Sequence, residues 1–461
     1  MMDTDEMARL SRERFEHTRP PSRGALPPVD TTNLPRGPRL PVLVQSAGLL
    51  RFRHQFVPWL RKRYGDEVTL RLLPASRALV LFSRPEVTKE IFAGDPDVLH
   101  AGKGNAILGP VMGEHSVLIL DGEAHKRARR MLMPAFSGHA LRGYREVVAR
   151  LADNEVSGWR SGQELRALDR MNALTLEVIL HVVFGVTDEQ RLARLRPLIT
   201  QTVNVSPVVL LAWTLPFLQR YRRWREPIER LYELDREIYA EIAERRQAPD
   251  LADRTDVLSQ LIRLDEGGDT LTDSELRDHL VTLLLAGHET TATALAWALQ
   301  ELGSDPEQLR RAREAALSGD DGWLEAVFKE SIRLHPVIAM VVRTLTRPTV
   351  IAGREMARGT TVGPSILLSH SDPARFPDPA SFRPDRFTGD DPPSLTDWIP
   401  FGGGARRCLG AAFAQVEAVE VLRAVLSSFD VTALGVERPQ VRNITSVPRH
   451  GARIRVDGHP R

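Results

Sequence analysis

Cysteine is almost absent from this chain, because Cys408 is the only one among 461 residues. One thiol excludes an internal disulfide, a zinc site built from several cysteines and an iron–sulfur cluster held by cysteines. It is also compatible with the reducing cytosol. The remaining interpretations of Cys408 are an inert buried thiol, a nucleophile and a thiolate that ligates a metal ion.

The chain also lacks a long hydrophobic run and an excess of charge of one sign. The longest apolar stretch, residues 207–218, contains two prolines and falls far short of the roughly 20 residues that cross a bilayer. The first residues are charged throughout and lack the apolar core of a secretion signal. Basic and acidic residues number 62 and 60, with only five lysines, so no overall field suits nucleic acid. We expect a cytoplasmic protein with no membrane anchor and no nucleic-acid partner.

The N-terminal part predicts an arm followed by a small sheet. Residues 1–40 are rich in proline and arginine, and each proline disfavours the helical conformation of the residue before it. We expect an extended arm there. Two short runs rich in apolar residues, at 67–73 and 77–83, are separated by three residues and predict a β-hairpin.

Beyond about Glu123 the sequence pattern is mostly helical, since apolar residues recur three and four positions apart as far as Leu345. Extended sequence returns at 349–364. A last amphipathic helix is expected from Gly410 to about Phe429, followed by short strands. Because no repeat or linker divides the chain, we predict a mainly α fold with minor β sheets, in which residues 41–461 form one domain.

Cys408 lies in a glycine-rich segment, residues 400–410, with the sequence PFGGGARRCLG. Three consecutive glycines weaken a helix or strand, so a loop that another group approaches closely explains them best. The cysteine precedes a predicted helix, whose amide groups and dipole favour a thiolate. A lone cysteine is more often buried and inert, but the glycines together with Arg406 and Arg407 indicate a thiolate beside an anionic ligand.

A polar cluster interrupts the apolar helix predicted for residues 283–299, LLLAGHETTATALAWAL. Glu289 and Thr290 are costly to bury without partners, which indicates a functional pair or a polar network. Ala286 shares a helix face with Thr290, and Gly287 removes a side chain beside them. We therefore expect a flat ligand to lie against this face, with His288 structural.

Two further segments carry polar or charged residues at helical spacing. Glu330 and Arg333 lie three apart in FKESIRLHP, and Arg386 in the later segment PDRF is a third candidate partner. His125 and Arg129 lie four apart and share one face of a predicted helix. Taken alone, exposed charged pairs of this kind contribute little to stability.

In this order, the segments resemble the cytochrome P-450 family of haem-thiolate monooxygenases, from about Leu40 to the C-terminus. The cysteine loop fits the family pattern F-x-x-G-x-R-x-C-x-G, which is highly specific, and residues 286–291 look like the family's A-G-x-[DE]-T-T. Glu330 and Arg333 match its E-x-x-R. His125 stands where many members have tryptophan. The resemblance implies the single fold of that family, with haem between the long central helix and the cysteine-loop helix.

The resemblance also implies a role for each motif residue. Cys408 is then the axial ligand of the iron in haem b, and Glu289 with Thr290 delivers protons during oxygen activation. Three residues form a structural network that fixes the cysteine loop: Glu330, Arg333 and Arg386. The other residues expected to contact the haem, several of them through its propionates, are His125, Arg129, Arg343, Arg406, Phe401, Gly404, Gly410 and Ala286.

The implied activity is insertion of one oxygen atom from O2 into a C–H or C=C bond of a lipophilic small molecule. The 53 residues after Cys408 leave no room for a flavin or ferredoxin module. We therefore expect a monomer served by a separate ferredoxin or flavodoxin with its reductase. Four basic residues form either a docking patch for that partner or an ordinary solvated surface: Lys126, Arg127, Arg130 and Arg407.

By family position, the substrate pocket is expected to be apolar. Its walls are predicted at 101–117, 206–217 and 337–342, with Leu283, Val337, Met340, Ser446 and Val447 among the lining residues. An apolar pocket with few charges favours a terpenoid, fatty acid, steroid or polyketide.

Three other interpretations stay open. A peroxide-driven or non-oxygenase haem-thiolate enzyme usually lacks the acid–alcohol pair, which is intact here. A non-catalytic haem protein would bind ligands and form no product. A helical protein with no cofactor would be colourless.

Overall fold

The computed structural model describes residues 32–73, 77–185, 188–203, 221–265 and 267–458. The helices of these ranges are α1 (Val42–Arg51), α2 (Arg53–Tyr64), α3 (Pro85–Ala93), α4 (Gly102–Asn105), α5 (Gly109–Met112), α6 (Gly122–Leu132), α7 (Gly138–Ser157), α8 (Ala167–Phe184), α9 (Glu189–Val203), α10 (Arg222–Arg246), α11 (Val257–Arg263), α12 (Asp273–Ser304), α13 (Pro306–Ser318), α14 (Asp321–Leu334), α15 (Ile366–His370) and α16 (Ala411–Ser428). The strands are β1 (Glu67–Leu72), β2 (Arg77–Phe82), β3 (Leu99–His100), β4 (Gln163–Arg166), β5 (Arg343–Leu345), β6 (Thr349–Ile351), β7 (Arg354–Met356), β8 (Thr361–Pro364), β9 (Phe429–Ala433), β10 (Pro439–Arg442), β11 (Thr445–Pro448) and β12 (Arg453–Gly458).

The chain divides into two compact units. The helical unit contains the described residues of 105–147 and 175–289. The mixed unit contains those of 25–104, 148–174 and 290–461 and carries the strands named above. Helix α12 contributes residues to each unit.

A five-stranded sheet of order β1-β2-β8-β5-β3 forms the main sheet of the mixed unit. Strands β1 and β2 pair antiparallel, with Glu67 opposite Phe82, which confirms the predicted hairpin. The other sheets are β4-β12-β9, β10-β11 and β6-β7. The extended sequence expected at 349–364 therefore forms strands β6 to β8.

Both faces of β2 are buried, because its side chains alternate between two hydrophobic clusters. Val80 and Phe82 pack in one cluster with residues of α3. Leu79 and Leu81 pack in the other with residues of α1 and α2, among them Leu60. Strand β2 therefore lies between two hydrophobic clusters of the mixed unit.

Buried arginines tie helices together inside the helical unit. The Arg277 guanidinium is fully buried and donates to Asp235 of α10 and, at 2.9 Å, to Asp278. Arg245 donates to Asp256 at 2.6 Å. Removing one member of such a pair leaves an uncompensated buried charge, so these contacts fix how the helices pack.

Local signals explain where the helices near the cysteine loop begin. Asp305 caps α13 by accepting hydrogen bonds from two backbone N–H groups, and Pro306 occupies its first position. Asp320 caps α14 by accepting the Trp323 N–H. Helix α16 begins at Ala411, directly after the cysteine loop, which confirms the predicted helix to within one residue at each end.

Two sequence predictions fall partly or wholly outside the described residues: residues 1–31 of the expected arm, and the apolar stretch 207–218. Residues 32–41 contain neither helix nor strand. Of the helices described, none alone is long and apolar enough to cross a bilayer, although the bent pair α8 and α9 meets that test of length and composition jointly.

We predict that Leu70→Ala lowers the free energy of unfolding by about 2–5 kcal/mol, because Leu70 is fully buried in the second cluster. Leu317→Ala is the matched control, since Leu317 is mostly exposed and its truncation should change stability by less than about 0.5 kcal/mol. Urea unfolding measures both. Equal losses would contradict the assignment of the core.

Candidate functional site

The cysteine loop of the mixed unit presents an exposed thiol at a tight turn. Cys408 is exposed, and its backbone N–H donates to the Phe401 carbonyl over 2.9 Å. Gly402 and Gly404 adopt φ values of +65° and +64°, which other residues rarely take. Helix α16 starts three residues after the cysteine, so its amide end favours a thiolate at this position.

The glycines of this loop allow it to lie directly against α3. A Cβ on Gly404 would stand 2.0 Å from the Phe92 carbonyl oxygen, and one on Gly403 would stand 2.2 Å from the Phe92 ring. The glycines predicted that another group approaches this loop closely, and Phe92 of the same chain is one such group. A cavity of about 310 Å³ opens beside this contact, lined by Phe92, Trp398 and Phe401 among others.

Two arginines accompany the loop within the mixed unit. Arg343 is buried at the start of β5, where its guanidinium donates to the Val342 carbonyl at 2.8 Å and approaches the Gly403 carbonyl at 3.5 Å. Arg406 is half-buried in a 3₁₀ turn, Gly404–Arg406. Both cations therefore lie on or beside the segment that carries Cys408.

A buried ion pair lies behind the loop. Arg333 donates twice to Glu330, at 2.6 and 2.8 Å, and both side chains are almost completely buried. Arg386 adds a contact to Glu330 at 3.2 Å. The Arg333 guanidinium also donates to the carbonyls of His370 and Pro379, each at 2.9 Å. The three residues that the sequence grouped are thus in contact.

His370 connects this ion pair to the loop, and the sequence analysis missed it. Burial, together with the Arg333 charge, lowers the pKa of His370 to about 3, so its ring is neutral. The ring Nε2 accepts the backbone N–H of Ile399 over 2.9 Å. The Ile399 carbonyl in turn accepts the Gly402 N–H over 3.0 Å. No motif marks His370, because its role arises only from the tertiary fold.

The middle of α12 has one accessible stripe. Leu283 and Thr290 are half-buried and Ala286 is exposed, whereas Glu289 and Thr291 are buried. These spacings of three and four place Leu283, Ala286 and Thr290 on one face. The His288 ring contacts the Leu284 carbonyl one turn earlier, at 3.0 Å, which agrees with the structural role expected for it.

Gly287 has a packing role that the sequence analysis missed. A Cβ at Gly287 would stand 2.8 Å from the Cδ1 atom of Ile179, so the glycine allows α8 to pack against α12. Thr175 of α8 also donates to the His288 carbonyl at 3.0 Å. The missing side chain therefore serves contact between two helices of the helical unit.

Glu417 of α16 is a second buried acid that the sequence analysis missed. Burial raises the pKa of Glu417 to about 8, and a hydrogen bond with Thr291 opposes this shift in part. The carboxyl group is therefore mostly protonated at neutral pH. Thr291 follows Thr290 directly, so this contact fixes α12 beside the acid–alcohol pair. An acid within the apolar sequence of α16 was the available signal.

The helical unit carries the remaining cofactor candidates on α6. His125 is buried and Arg129 is half-buried. The neighbouring basic residues are engaged by acids: Lys126 pairs with Glu123 at 2.6 Å, and Arg127 pairs with Asp269 at 2.6 Å. Arg130 also lies 3.5 Å from the Asp269 carboxylate. These ion pairs favour an ordinary solvated surface over a docking patch.

Two of the predicted pocket walls meet in the mixed unit. The Ser446 N–H donates to the Val337 carbonyl at 2.9 Å, which attaches β11 to the segment after α14. Val337 and Val447 are buried, and Met340 is half-buried. The described wall is therefore mainly apolar, while the predicted wall at 206–217 lies outside the described residues.

Polar residues of α2 contact the hairpin formed by β10 and β11. The buried Arg53 guanidinium donates to the Asn443 and Ile444 carbonyls, both at 3.2 Å. His54 Nε2 lies 2.9 Å from the Ser446 hydroxyl. Burial first, and then the neighbouring Arg53 charge, lower the pKa of His54 to about 4. The hairpin is thus held by neutral His54 and charged Arg53.

Comparisons with known proteins agree with these features. The sequence model of the family described as Cytochrome P450 matches residues 35–454. The chain is 49% identical over 430 residues to cytochrome P450 135A1 of Mycobacterium tuberculosis, covering 92% of this chain and 96% of the relative. It is 42% identical over 437 residues to cytochrome P450 135B1 of Mycobacterium bovis, covering 93% and 92%. The solved structure of cyanobacterial CYP120A1, with retinoic acid bound, has a TM-score of 0.79 at 24% identity and covers 92% of this chain and 99% of its own.

The family model and these relatives assign the chain, with its thiol in a glycine-rich loop, to the haem-thiolate class. The chain belongs to the cytochrome P450 family. It is a monooxygenase and its cofactor is haem b.

The donor chemistry of the described residues fits haem b. The porphyrin supplies four nitrogen ligands, so the protein needs to bring one axial ligand, and the exposed Cys408 is suited to that. Arg343 and Arg406 of the mixed unit, and His125 and Arg129 of the helical unit, are basic partners suited to carboxylates such as the propionates. Within the described ranges, no cluster of three or more His, Cys, Asp or Glu side chains is placed to hold a metal ion directly.

We predict that Glu330→Gln destabilises the mixed unit by about 3–5 kcal/mol, because it leaves the buried Arg333 charge without its carboxylate. Haem content after purification should fall as well. Glu325→Gln on the same helix is the matched control, since its pair with Lys329 is partly exposed and contributes at most about 1 kcal/mol. Thermal unfolding and the haem-to-protein absorbance ratio measure both effects. Equal stability of the two variants would contradict the structural role of the pair.

Proposed function

We propose that this P450 inserts one oxygen atom from O2 into a C–H or C=C bond of a lipophilic small molecule, with Cys408 as the axial ligand of the haem iron and electrons from a separate redox partner. The observation that carries the proposal is the cysteine loop. Its thiol is exposed, and its turn is closed by the Cys408–Phe401 hydrogen bond. The buried Glu330–Arg333 pair is connected to the backbone before the loop through His370.

When bound, haem supplies the activation of dioxygen, which an anionic sulfur ligand promotes. Cys408 stays a thiolate because the amide end of α16 is near it, and the glycine-rich backbone positions the sulfur. Arg343, Arg406, His125 and Arg129 hold the propionates in this proposal. The residues that would contact the bound macrocycle are Phe401, Gly404, Gly410 and Ala286.

Thr290 and Glu289 deliver protons in the proposed mechanism. The half-buried Thr290 hydroxyl lies on the accessible stripe of α12, where Oγ1 can hold a proton next to the reacting oxygen. The adjacent carboxyl group of Glu289 is buried and can relay protons toward it. Glu417 acts as a positioning residue, since its contact with Thr291 fixes the neighbouring helix turn.

The apolar surroundings support a lipophilic substrate. Leu283, Val337, Met340 and Val447 supply mainly hydrocarbon surface, which excludes water from the reacting bond. The structural relative CYP120A1 was solved with retinoic acid, a terpenoid acid, and this supports the same chemical range. Terpenoids, fatty acids, steroids and polyketides remain the candidates.

A ferredoxin or flavodoxin with its reductase supplies the electrons in this proposal. The cavity beside the cysteine loop is edged by Lys89 and Arg407, which are both exposed. Their positive charge suits an acidic electron carrier and favours this face over the ion-paired residues of α6. We also propose a cytoplasmic monomer in which residues 41–461 act as one catalytic domain.

The acid–alcohol pair favours dioxygen chemistry over a peroxide-driven or non-oxygenase reaction. Thr290→Ala should lower the fraction of consumed reductant recovered as product at least about tenfold, with hydrogen peroxide released instead, because a positioned proton donor is lost. Thr290→Ser, which keeps the hydroxyl, is the matched control and should retain most of the coupling.

This measurement uses a lipophilic compound selected from the four classes above by its shift of the ferric haem spectrum, and a surrogate ferredoxin with its reductase. Unchanged coupling in Thr290→Ala would overturn the proposed proton delivery. Equal turnover of the wild type with hydrogen peroxide alone would favour the peroxide-driven alternative.

A further inference from the structure

Helix α1 buries two polar side chains and leaves several large apolar ones exposed. Gln45 and Ser46 are 1% and 6% exposed, whereas Leu43 and Leu50 are 70% and 68% exposed. Successive residues of a helix are 100° apart, so Leu43 and Leu50 lie on one stripe, Gln45 lies on the opposite side, and Ser46 lies at the border between the two sides. The helix therefore packs only part of its apolar surface inward, with Leu49 in the second cluster, and leaves Leu43 and Leu50 outward.

The buried face has a structural explanation. The Gln45 carboxamide oxygen accepts the Arg71 N–H at 2.9 Å, and the Ser46 hydroxyl accepts the Leu73 N–H at 3.0 Å. Strand β1 is an edge strand, so these side chains satisfy backbone donors that no neighbouring strand pairs. This accounts for the polar residues inside, but it does not account for the leucines outside.

The outward leucines belong to a larger apolar surface, the α1 surface, made of large hydrophobic side chains from 40–73. Fourteen exposed large hydrophobic residues occur among the described residues, and half of them lie in this short stretch. They are Leu40, Leu43, Val44, Leu50, Phe52, Trp59 and Leu73. The segments that carry them are packed together, since Gly48 of α1 lies directly against the Phe56 ring of α2, which stacks on Trp59 at 5.7 Å. A concentration of this kind marks an interaction site.

Charge identifies the partner. Residues 32–65 contain seven Arg and Lys residues and no Asp or Glu. Five of these bases are exposed: Arg36, Arg39, Arg51, Lys62 and Arg63. A symmetric contact with a second copy would bring these cations together and place like charges face to face. A lipid bilayer with anionic headgroups offers negative charge to the cations and hydrocarbon to the leucines. Aromatic residues such as Phe52 and Trp59 suit the boundary between headgroups and hydrocarbon.

We propose that the α1 surface docks this P450 peripherally on a lipid bilayer that carries anionic headgroups. Helix α1 lies along the interface with Leu43, Val44 and Leu50 in the hydrocarbon boundary, and the flanking arginines contact the headgroups. The attachment is reversible, because one ten-residue helix and a few cations give modest affinity.

The test is sedimentation of the full-length, haem-loaded protein with sucrose-filled vesicles of phosphatidylglycerol and phosphatidylcholine, compared with phosphatidylcholine alone. We expect binding to the anionic vesicles that weakens as salt is added, and much weaker binding to the neutral ones. The double variant Leu43→Ser/Leu50→Ser should lose at least about 30-fold in vesicle affinity, since two leucines no longer enter hydrocarbon. Arg39→Gln/Arg51→Gln should lose about 30-fold on anionic vesicles only.

The matched control is Leu395→Ser/Val436→Ser, which removes two exposed hydrophobic residues outside the α1 surface and should leave vesicle affinity within twofold. The haem spectrum and melting temperature of every variant verify folding. Absence of vesicle binding, equal binding to neutral vesicles, or equal loss in the control would overturn the proposal. So would a dimer that forms without lipid and dissociates in Leu43→Ser/Leu50→Ser, because it would assign the surface to a second copy.

Discussion

The buried contact between Glu330 and Arg333 is the constraint on which the cysteine loop depends. Two opposite charges removed from water are tolerable only when each is fully paired, so the carbonyls around Arg333 must stay in place. One of those carbonyls belongs to His370, whose neutral ring fixes the backbone just before the loop. Phe92 then closes the loop from the side of α3. The thiol of Cys408 is positioned by backbone that has little freedom to move.

Local chemistry made much of this predictable from the sequence. Three features depend on residues adjacent in the chain: the hairpin of β1 and β2, the start of α16 and the turn around Cys408. The spacing of Glu330 and Arg333 is also local, since the two residues lie one helical turn apart. The sequence could not show that this pair is buried, since burial depends on segments far away in the chain. The sequence analysis missed His370, Glu417 and the packing partner of Gly287 for the same reason. Each acts through a contact with a distant element, and no local pattern encodes that contact.

Helix α1 also depends on contacts with a distant element. Gln45 and Ser46 face the edge strand β1 and the residue after it, where each accepts a backbone N–H. These hydrogen bonds hold α1 against the sheet together with Leu49, which packs in the second hydrophobic cluster. In the proposal above, the exposed side of the same helix, with Leu43 and Leu50, contacts lipid.

The central claim is that Cys408 ligates the haem iron as a thiolate. The most direct measurement is the absorption spectrum of the purified, dithionite-reduced protein after exposure to carbon monoxide, for the wild type and for Cys408→Ser. The account predicts a strongly red-shifted Soret band in the wild type that is lost in the variant, because the shift would require ligation of the iron by the Cys408 thiolate. An unshifted band in the wild type, or the same shifted band in both proteins, would contradict it.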